Sequence, residues 1–341
     1  MPAALPDAFR DLSFAAGLVA RATRLAVEAR RDLPSDAIVR KPDGSIVTAV
    51  DVALQVLILT ELERRYGAHP VIAEEDLASI GGKPAAEACC RGLLRAWDPS
   101  IGEEACTRAL GSGGLDGRTG GLEALWILDP IDGTRGFVEG DHWCPCLALV
   151  SHGRTVFAVN GHPTVLEGAT LVAESGAGTW WTPLAGGDAR RTSVETRAPA
   201  GDEAVCVVAP ANPTPAQLDA RRAIGESTGH PCRLVRSDSQ AKYAHVIAGL
   251  ADIAYSRRGG GPGKFVWDHA GAILLAREAG AWVGDTDGGD IDLTRGRRIS
   301  ANDAVICAAR GLGPAVAAAL HARDVEEGFA APRHARAMGN G

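Results

Sequence analysis

The residues that invite chemistry lie in WILDPIDGTRGF at 126–137, where an apolar run ends in Asp129 and Asp132. Pro130 biases the residue before it toward extended backbone, and Gly133 permits a sharp turn just after the second acid. Both carboxylates are expected to project from the mouth of a strand, near an emerging helix or turn. Carboxylates this close repel each other, and without compensation at least one has a raised pKa. A hard divalent cation is the simplest compensation, because Mg²⁺ takes carboxylate, carbonyl and water oxygens. The carbonyl of Ile131, between the acids, is a further candidate ligand.

Other acids stand in similar places. Glu74 and Glu75 end a short apolar run, VIAEED at 71–76. Asp51 falls in the first turn of an expected helix, and Asp268, in VWDHAG, at the start of another. Singly, an acid at a helix start is an ordinary partner of the helix dipole, and EED is an ordinary solvated end. Together, four separated segments each place an acid at an element end. A site for two or three Mg²⁺ ions needs that arrangement, and two-metal sites suit phosphoryl hydrolysis. His269, beside Asp268, is read as a packing residue. DTDGGDIDLTRG is no EF-hand, because Asp290 stands where glycine is needed and Gly296 where glutamate is needed. It reads as strand and turn.

The elements that must position these acids follow from periodicity. Phe9, Leu12, Ala16, Val19, Thr23 and Ala26 form one stripe of a helix over 9–31. KPDGSIVT reads as a turn and a short strand. Thr48 and Asp51 fit a capping box for a helix that runs through VALQVLILTELERRYG and stops at Gly67. Roughly fifty residues then separate VIAEED from the DPIDGT strand, well beyond ordinary loop length. EACCRGLLRAW in that segment reads as a helix. GSGGLDGRTGG reads as a flexible connection, since it lacks the Gly-Lys-Ser/Thr ending of a phosphate-binding loop. Two hairpins follow, CLALVSHGRTVFAVNGHP turning at His152-Gly153 and TLVAESGAGTWW. From about 196 strands alternate with helices, the pattern of an α/β half. HAGAILLAREAG is a helix closed by Gly280, and the tail from about Arg323 reads as frayed.

The chain has 341 residues, enough for two domains or one large one. Hydrophobic residues make up 46% and charged residues 23%, which fits a soluble protein with a real core. The formal charge of −7 argues against a nucleic-acid polymer or an anionic membrane as partner. It leaves small anions open, because a bound cation reverses the local field. No run reaches the length of a membrane span and no secretory signal is visible, so a cytoplasmic location is expected. The eight cysteines, Cys89, Cys90, Cys106, Cys144, Cys146, Cys206, Cys232 and Cys307, match no zinc motif and read as buried thiols. Cys144-Pro145-Cys146 is one residue too tight for a CxxC motif.

DPIDGT, VWDHAGAILLAREAG, VIAEED and KPDGSIVTAVD together resemble the lithium-sensitive, Mg²⁺-dependent phosphatase superfamily of inositol monophosphatases, fructose-1,6-bisphosphatases and 3'(2'),5'-bisphosphate nucleotidases. The motifs stand in the family's order across roughly 41–307. The resemblance implies a mixed α+β and α/β fold, a layered αβαβα sandwich. Residues 1–195 would form an α+β domain with most metal ligands, 196–322 an α/β domain with substrate contacts, and 323–341 a flexible tail. Glu74, Asp129, the Ile131 carbonyl, Asp132 and Asp268 would hold the metals. Asp51 and Thr134 would orient and deprotonate the attacking water, with Glu74 also catalytic. The N–H groups of Gly133 and Thr134 would hold a phosphate oxygen, and Asp268 would face the substrate. Lithium inhibition is implied too.

SDSQAKYAHVIAGLADIAY, TRGFVEG and the long insertion before DPIDGT are similar to the bisphosphate nucleotidase branch, with Arg135 where lysine is common. There Ser239 and Lys242 would help hold the nucleotide, and a flexible lysine suits a phosphate as a point charge. The expected reaction removes the 3'-phosphate of 3'-phosphoadenosine 5'-phosphate to leave AMP. The chain departs from that branch at Asn212, where a histidine is frequent, at Ser256, where an arginine is frequent, and at Glu139, where a basic residue is frequent. Arg257 and Arg258 follow Ser256, and GGGPGK is unusually glycine-rich, although Lys264 keeps its place. These departures keep open a phosphatase of inositol or another small polyol phosphate. A metal-binding regulatory protein without turnover is the non-enzyme alternative. The partner is a small phosphate ester, and the family's habit allows a monomer or a homodimer.

Overall fold

The computed structural model describes Phe9 and residues 11–194, 204–209, 214–258, 263–309 and 311–329. The first helix, α1 (Ser13–Arg31), starts later than its apolar stripe suggests and buries Ala15, Leu18, Val19, Ala22, Thr23 and Ala26. A short hairpin, β1 (Ile38–Arg40) and β2 (Ile46–Thr48), leads into α2 (Ala49–Tyr66). The expected capping box of Thr48 and Asp51 is present, and Gly67 ends the helix at φ 85°. α2 is buried on nearly all sides because α1, the first sheet and the helices of the insertion surround it.

Those helices are α3 (Pro84–Trp97) and α4 (Glu103–Ser112), which follow β3 (Val71–Ala73). The sequence pattern suggested the first and not the second. The glycine-rich stretch after α4 is no loose tether, as the sequence implied. The Gly113 carbonyl accepts from Ala73 N–H at 3.1 Å and from Arg297 at 2.6 Å, and Thr119 N–H donates to the Thr294 carbonyl at 2.9 Å. Glycine allows this close approach: a Cβ at Gly113 would lie 2.9 Å from that of Ala73.

The chain then enters β4 (Leu125–Asp132), α5 (Thr134–Glu139), β5 (Cys144–Ser151), β6 (Arg154–His162), β7 (Ala169–Glu174), β8 (Gly178–Pro183) and β9 (Arg190–Thr192). With β3 they form a seven-stranded sheet in the order β3-β4-β5-β6-β7-β8-β9, parallel only between β3 and β4. The β5–β6 turn falls on His152-Gly153 as expected. Both residues have positive φ, 47° and 76°, whose twist matches the strands.

The second half holds β10 (Val205–Ala209), α6 (Pro215–Thr228), β11 (Cys232–Arg236), α7 (Ala241–Ile247), β12 (Ile253–Arg257), β13 (Lys264–Phe265), α8 (Ala270–Glu278), β14 (Trp282–Gly284), β15 (Arg298–Ile299), β16 (Ala304–Ala308) and α9 (Gly313–Glu326). Its five-stranded sheet has the order β11-β10-β12-β16-β14. α1 and α2 cover the outer face of the first sheet, α7 and α8 fill the space between sheets, and α6 and α9 cover the outer face of the second. The result is the αβαβα sandwich. Ile72, Leu125 and Ala148 of the first sheet share a core with Ala244, Ile247, Ile273 and Val305, so the middle helices join both halves. The first sheet ends at Thr192 and the second begins at Val205; a boundary at 195/196 and Asn212 both lie outside the described residues. No helix among the described residues is long and apolar enough to cross a membrane.

Two close contacts decide how the layers sit. A Cβ at Gly161 of β6 would lie 1.9 Å from Thr23 Oγ1, so α1 crosses β6 where no side chain intervenes. At the C-terminus, Arg257 pairs with Asp324 at 2.5 Å and Glu327 at 2.9 Å. Those contacts hold Asp324 and Glu327 within the segment from Arg323 that the sequence suggested was frayed; residues 330–341 of it lie outside the described residues.

His162, at the end of β6, is buried, and its Nδ1 has no hydrogen-bond partner among the described residues. Burial, then His245 and His142, push its pKa down to about 3. A depressed pKa means the neutral ring's contribution to stability is complete above the unfolded value near 6.5 and is lost as pH falls toward 3. Thermal melts of wild type should lose stability more steeply than those of His162→Gln below pH 6.5, by up to about 1.4 kcal/mol per pH unit. Parallel slopes in the two proteins would assign the acid sensitivity elsewhere.

Candidate active site

A regular strand sends residues three apart to opposite faces. β4 does not, because Asp129 pairs with Cys146 and Asp132 with Cys144, with a register shift between them. Three steps along β4 match two along β5, and this bulge returns both aspartates to one face. Pro130, which has no N–H to donate, sits in that irregular stretch, where a missing donor costs least. Gly133 then turns the chain at φ 84°, and a Cβ there would lie 2.7 Å from that of Ser239.

Asp268 arrives from the other half, just ahead of α8. Carboxylate oxygens of Asp129, Asp132 and Asp268 lie within 4.8 Å of one another. Glu74 joins them as the like charge that, after burial, acts most on Asp129. Glu75 is turned away and pairs with Lys41 at 2.8 Å. Gln55, a lone amide on the apolar α2, clamps this end of β3. Its Nε2 donates to the Glu75 carbonyl at 2.6 Å, and Glu75 N–H donates to its Oε1 at 2.9 Å.

Asp51 is fully buried. Its Oδ2 accepts from Thr48 N–H at 2.9 Å and from Thr48 Oγ1 at 2.5 Å, and its Oδ1 accepts from Thr134 Oγ1 at 3.0 Å. Thr134 Oγ1 also lies 3.1 Å from the Ile131 carbonyl. Thr134 thus touches both Asp51, its expected partner, and the Ile131 carbonyl.

The electrostatics follow from crowding. Burial, then Glu74, Asp132 and Asp268, hold the Asp129 carboxyl well above the usual range. Burial and then Glu75 do the same for Glu74. Asp268 is pushed up to about 7 by burial and Asp132, against the pull of Lys242 and Lys264. Asp51 is also pushed to about 7, by burial and Glu75. Burial raises Asp132, and Lys242 opposes it. Asp129 Oδ1 is buried with no hydrogen-bond partner among the described residues. A buried oxygen of this kind is costly unless something positive meets it. All-oxygen donors and clustered acids fit a hard divalent cation.

The SDSQAKY stretch joins the site through its backbone. Gln240 N–H donates to Asp132 Oδ2, while its side chain bonds the Trp267 carbonyl at 2.8 Å and Asn160 at 3.3 Å. Ser239 is fully buried, and its Oγ accepts from Ala241 N–H at 3.1 Å. It sets the turn against Gly133 and offers no surface to a ligand in this conformation. Lys242 lines an open cleft of about 480 Å³ together with Lys264, Tyr255, Arg257 and Phe329. His269 is buried and bonds Tyr243 at 2.6 Å, tying α8 to α7, which is the packing role expected of it.

Sequence reasoning did not assign Lys41, Gln55 or Gln240. For Gln55 a signal existed, an uncharged polar residue inside a continuous apolar helix. For Gln240 there was none, because its backbone makes the contact to Asp132.

The model of the Inositol monophosphatase family matches residues 10–327. A probable 3'(2'),5'-bisphosphate nucleotidase 4 of Arabidopsis thaliana is 29% identical, over 93% of this chain and 96% of that protein. A 3'(2'),5'-bisphosphate nucleotidase of Emericella nidulans is 29% identical, over 83% of this chain and 89% of the other. Among solved structures, the IMPase of Thermotoga maritima superposes with a TM-score of 0.63 at 20% identity, covering 93% of this chain and 98% of that one. SuhB of Mycobacterium tuberculosis gives 0.60 at 20% identity, over 94% and 99%. These structures share the fold seen here. With the acid cluster, the Asp51–Thr134 pair and a family match over nearly its whole length, the chain belongs to the inositol monophosphatase family and is a phosphatase of phosphate monoesters.

Proposed function

We propose that the chain is a Mg²⁺-dependent, lithium-sensitive 3'(2'),5'-bisphosphate nucleotidase that removes the 3'-phosphate of 3'-phosphoadenosine 5'-phosphate. The carrying observation is the pair Lys242 and Lys264 on one cleft beside Asp132 and Asp268. A substrate with two phosphates needs positive charge beyond the hydrolytic centre, and these lysines supply it. Arg257 and Arg258, near the same loop, are engaged otherwise: Arg257 holds Asp324 and Glu327, and Arg258 pairs with Asp303 at 2.9 Å. Phe329, 41% exposed on the cleft, offers a face to a base. The named relatives point the same way.

Glu74, Asp129, Asp132, Asp268 and the Ile131 carbonyl would hold two or three Mg²⁺ ions. Bound Mg²⁺ supplies positive charge to the phosphoryl oxygens and acidifies water. Thr134 has one hydroxyl proton and two acceptors within reach, Asp51 and the Ile131 carbonyl. Given to Asp51, that proton leaves the Thr134 oxygen free to take one from the attacking water and leaves the carbonyl free for a cation. The N–H groups of Gly133 and Thr134, at the turn into α5, would hold a phosphate oxygen. Ser239 supports that turn from below.

Phosphate release in Mg²⁺ from the nucleotide and from inositol 1-phosphate in parallel tests the reading, with Asp132→Asn as the blank. The nucleotide should be preferred and the blank slower by about 10²–10³. Preference for inositol 1-phosphate would establish the polyol phosphatase alternative. Lys242→Ala should raise KM for the nucleotide about tenfold or more and leave inositol 1-phosphate little changed; equal losses on both substrates would remove Lys242 from nucleotide recognition. Thr134→Ala should lower kcat by about 10²–10⁴ with KM nearly constant, as expected for a group that moves a proton. A loss confined to KM would assign Thr134 to binding alone.

A further inference from the structure

Cys144 and Cys146, two apart on β5, share one strand face opposite the two aspartates that the β4 bulge brings together. Cys144 pairs with Asp132 and Cys146 with Asp129 on β5. Both thiols are buried and free, with their sulfurs 3.5 Å apart. The two sulfurs and a carboxylate oxygen of Asp132 all lie within 4.8 Å of one another. Asp132 is half-buried and belongs also to the carboxylate cluster. Two soft donors therefore adjoin a hard-donor site and share one ligand with it.

We propose that Cys144, Cys146 and Asp132 form a binding site for a thiophilic divalent cation such as Zn²⁺ or Cd²⁺, and that its occupation inhibits the enzyme by withdrawing Asp132 from Mg²⁺. The spacing suits the ion. Two sulfurs each about 2.3 Å from a tetrahedral zinc stand roughly 3.8 Å apart, close to the separation present. Thiolates select zinc-like ions over magnesium, while carboxylates and water suit magnesium. Three protein ligands leave a fourth position for water. A disulfide fits the pair less well. Residues two apart on an extended strand have Cα atoms about 6.8 Å apart, at the upper end of the range a disulfide spans. Capture releases the two thiol protons to solvent, so binding tightens as pH rises. The inhibition rests on Asp132 being a magnesium ligand; binding by the thiols does not.

Full-length, reduced protein is titrated with Cd²⁺ in the absence of Mg²⁺ and phosphate, following the ultraviolet charge-transfer absorption of cadmium thiolate. Comparison of wild type with Cys144→Ser/Cys146→Ser isolates this pair from the other cysteines. Wild type should bind one equivalent more than the double variant. Cys144→Ser and Cys146→Ala alone should each weaken that equivalent tenfold or more, which serves if the double variant folds poorly. Asp132→Asn should keep the band and bind less tightly. Equal stoichiometry and affinity in wild type and the thiol variants overturns the site. In Mg²⁺-supported phosphate release, the Zn²⁺ concentration for half-inhibition should rise at least tenfold in the double variant, and an unchanged value overturns the inhibitory role. A protein that binds the extra Cd²⁺ but hydrolyses no phosphate ester bears out the cation site and counts against the nucleotidase reading instead.

Discussion

Repulsion among buried carboxylates is the constraint on which the rest of the molecule depends. Oxygens of Asp129, Asp132 and Asp268 stand within 4.8 Å of one another, with Glu74 against Asp129. At that distance two full charges repel by about 3.5 kcal/mol at an effective dielectric of 20. Three such pairs would consume a large part of the 5–15 kcal/mol that a typical domain has to spare. The cluster therefore takes up protons or a cation. A fold that holds these acids together while leaving one buried oxygen of Asp129 without a donor among the described residues is prepared for the cation.

That rigidity has identifiable sources. Gln55 clamps the end of β3 through both of its amide atoms, and Lys41 pairs with Glu75 beside it. Thr48 fixes Asp51 through a helix cap. Gln240 N–H reaches Asp132 across the junction of the two halves, and the Tyr243–His269 bond holds α7 to α8 behind it. The middle helix layer thus joins the two sheets and brings Asp268 to the acids of the first. The long insertion supports this from outside: α3 and α4 pack on α2, Gly113 holds Ala73, and none of its described residues lines the cleft that holds Lys242.

The substrate side is built more loosely. Its basic groups divide by their partners: Arg257 and Arg258 are held by acids, whereas Lys242 and Lys264 face Asp132 and Asp268 from the cleft. Burial and Lys242 lower the pKa of Lys264, with Asp268 opposing. A site of this kind selects anions by charge and leaves the rest of the substrate to the rim, where Phe329 stands.

The sequence by itself determined the chemistry and the local scaffolding. DPIDGT, the capping box at Thr48 and Asp51, the turn at His152-Gly153 and the stop at Gly67 were legible because each depends on neighbouring residues and backbone preference. The order of the motifs was enough to indicate the family and the layered fold. Only the tertiary structure decided that Asp129 and Asp132 share a face, since the bulge arises from the pairing of β4 with β5. It decided as well that Ser239 is enclosed at the turn, that Arg257 of β12 pairs with Asp324 of α9, and that the glycine-rich stretch after α4 is pinned to Ala73 and Thr294. These contacts join segments far apart in the chain, and their energies come from burial and charge pairing that no local pattern encodes. The two thiols opposite the aspartates belong to the same class: a CPC tripeptide has no meaning alone and acquires one when a neighbouring strand places Asp132 beside it.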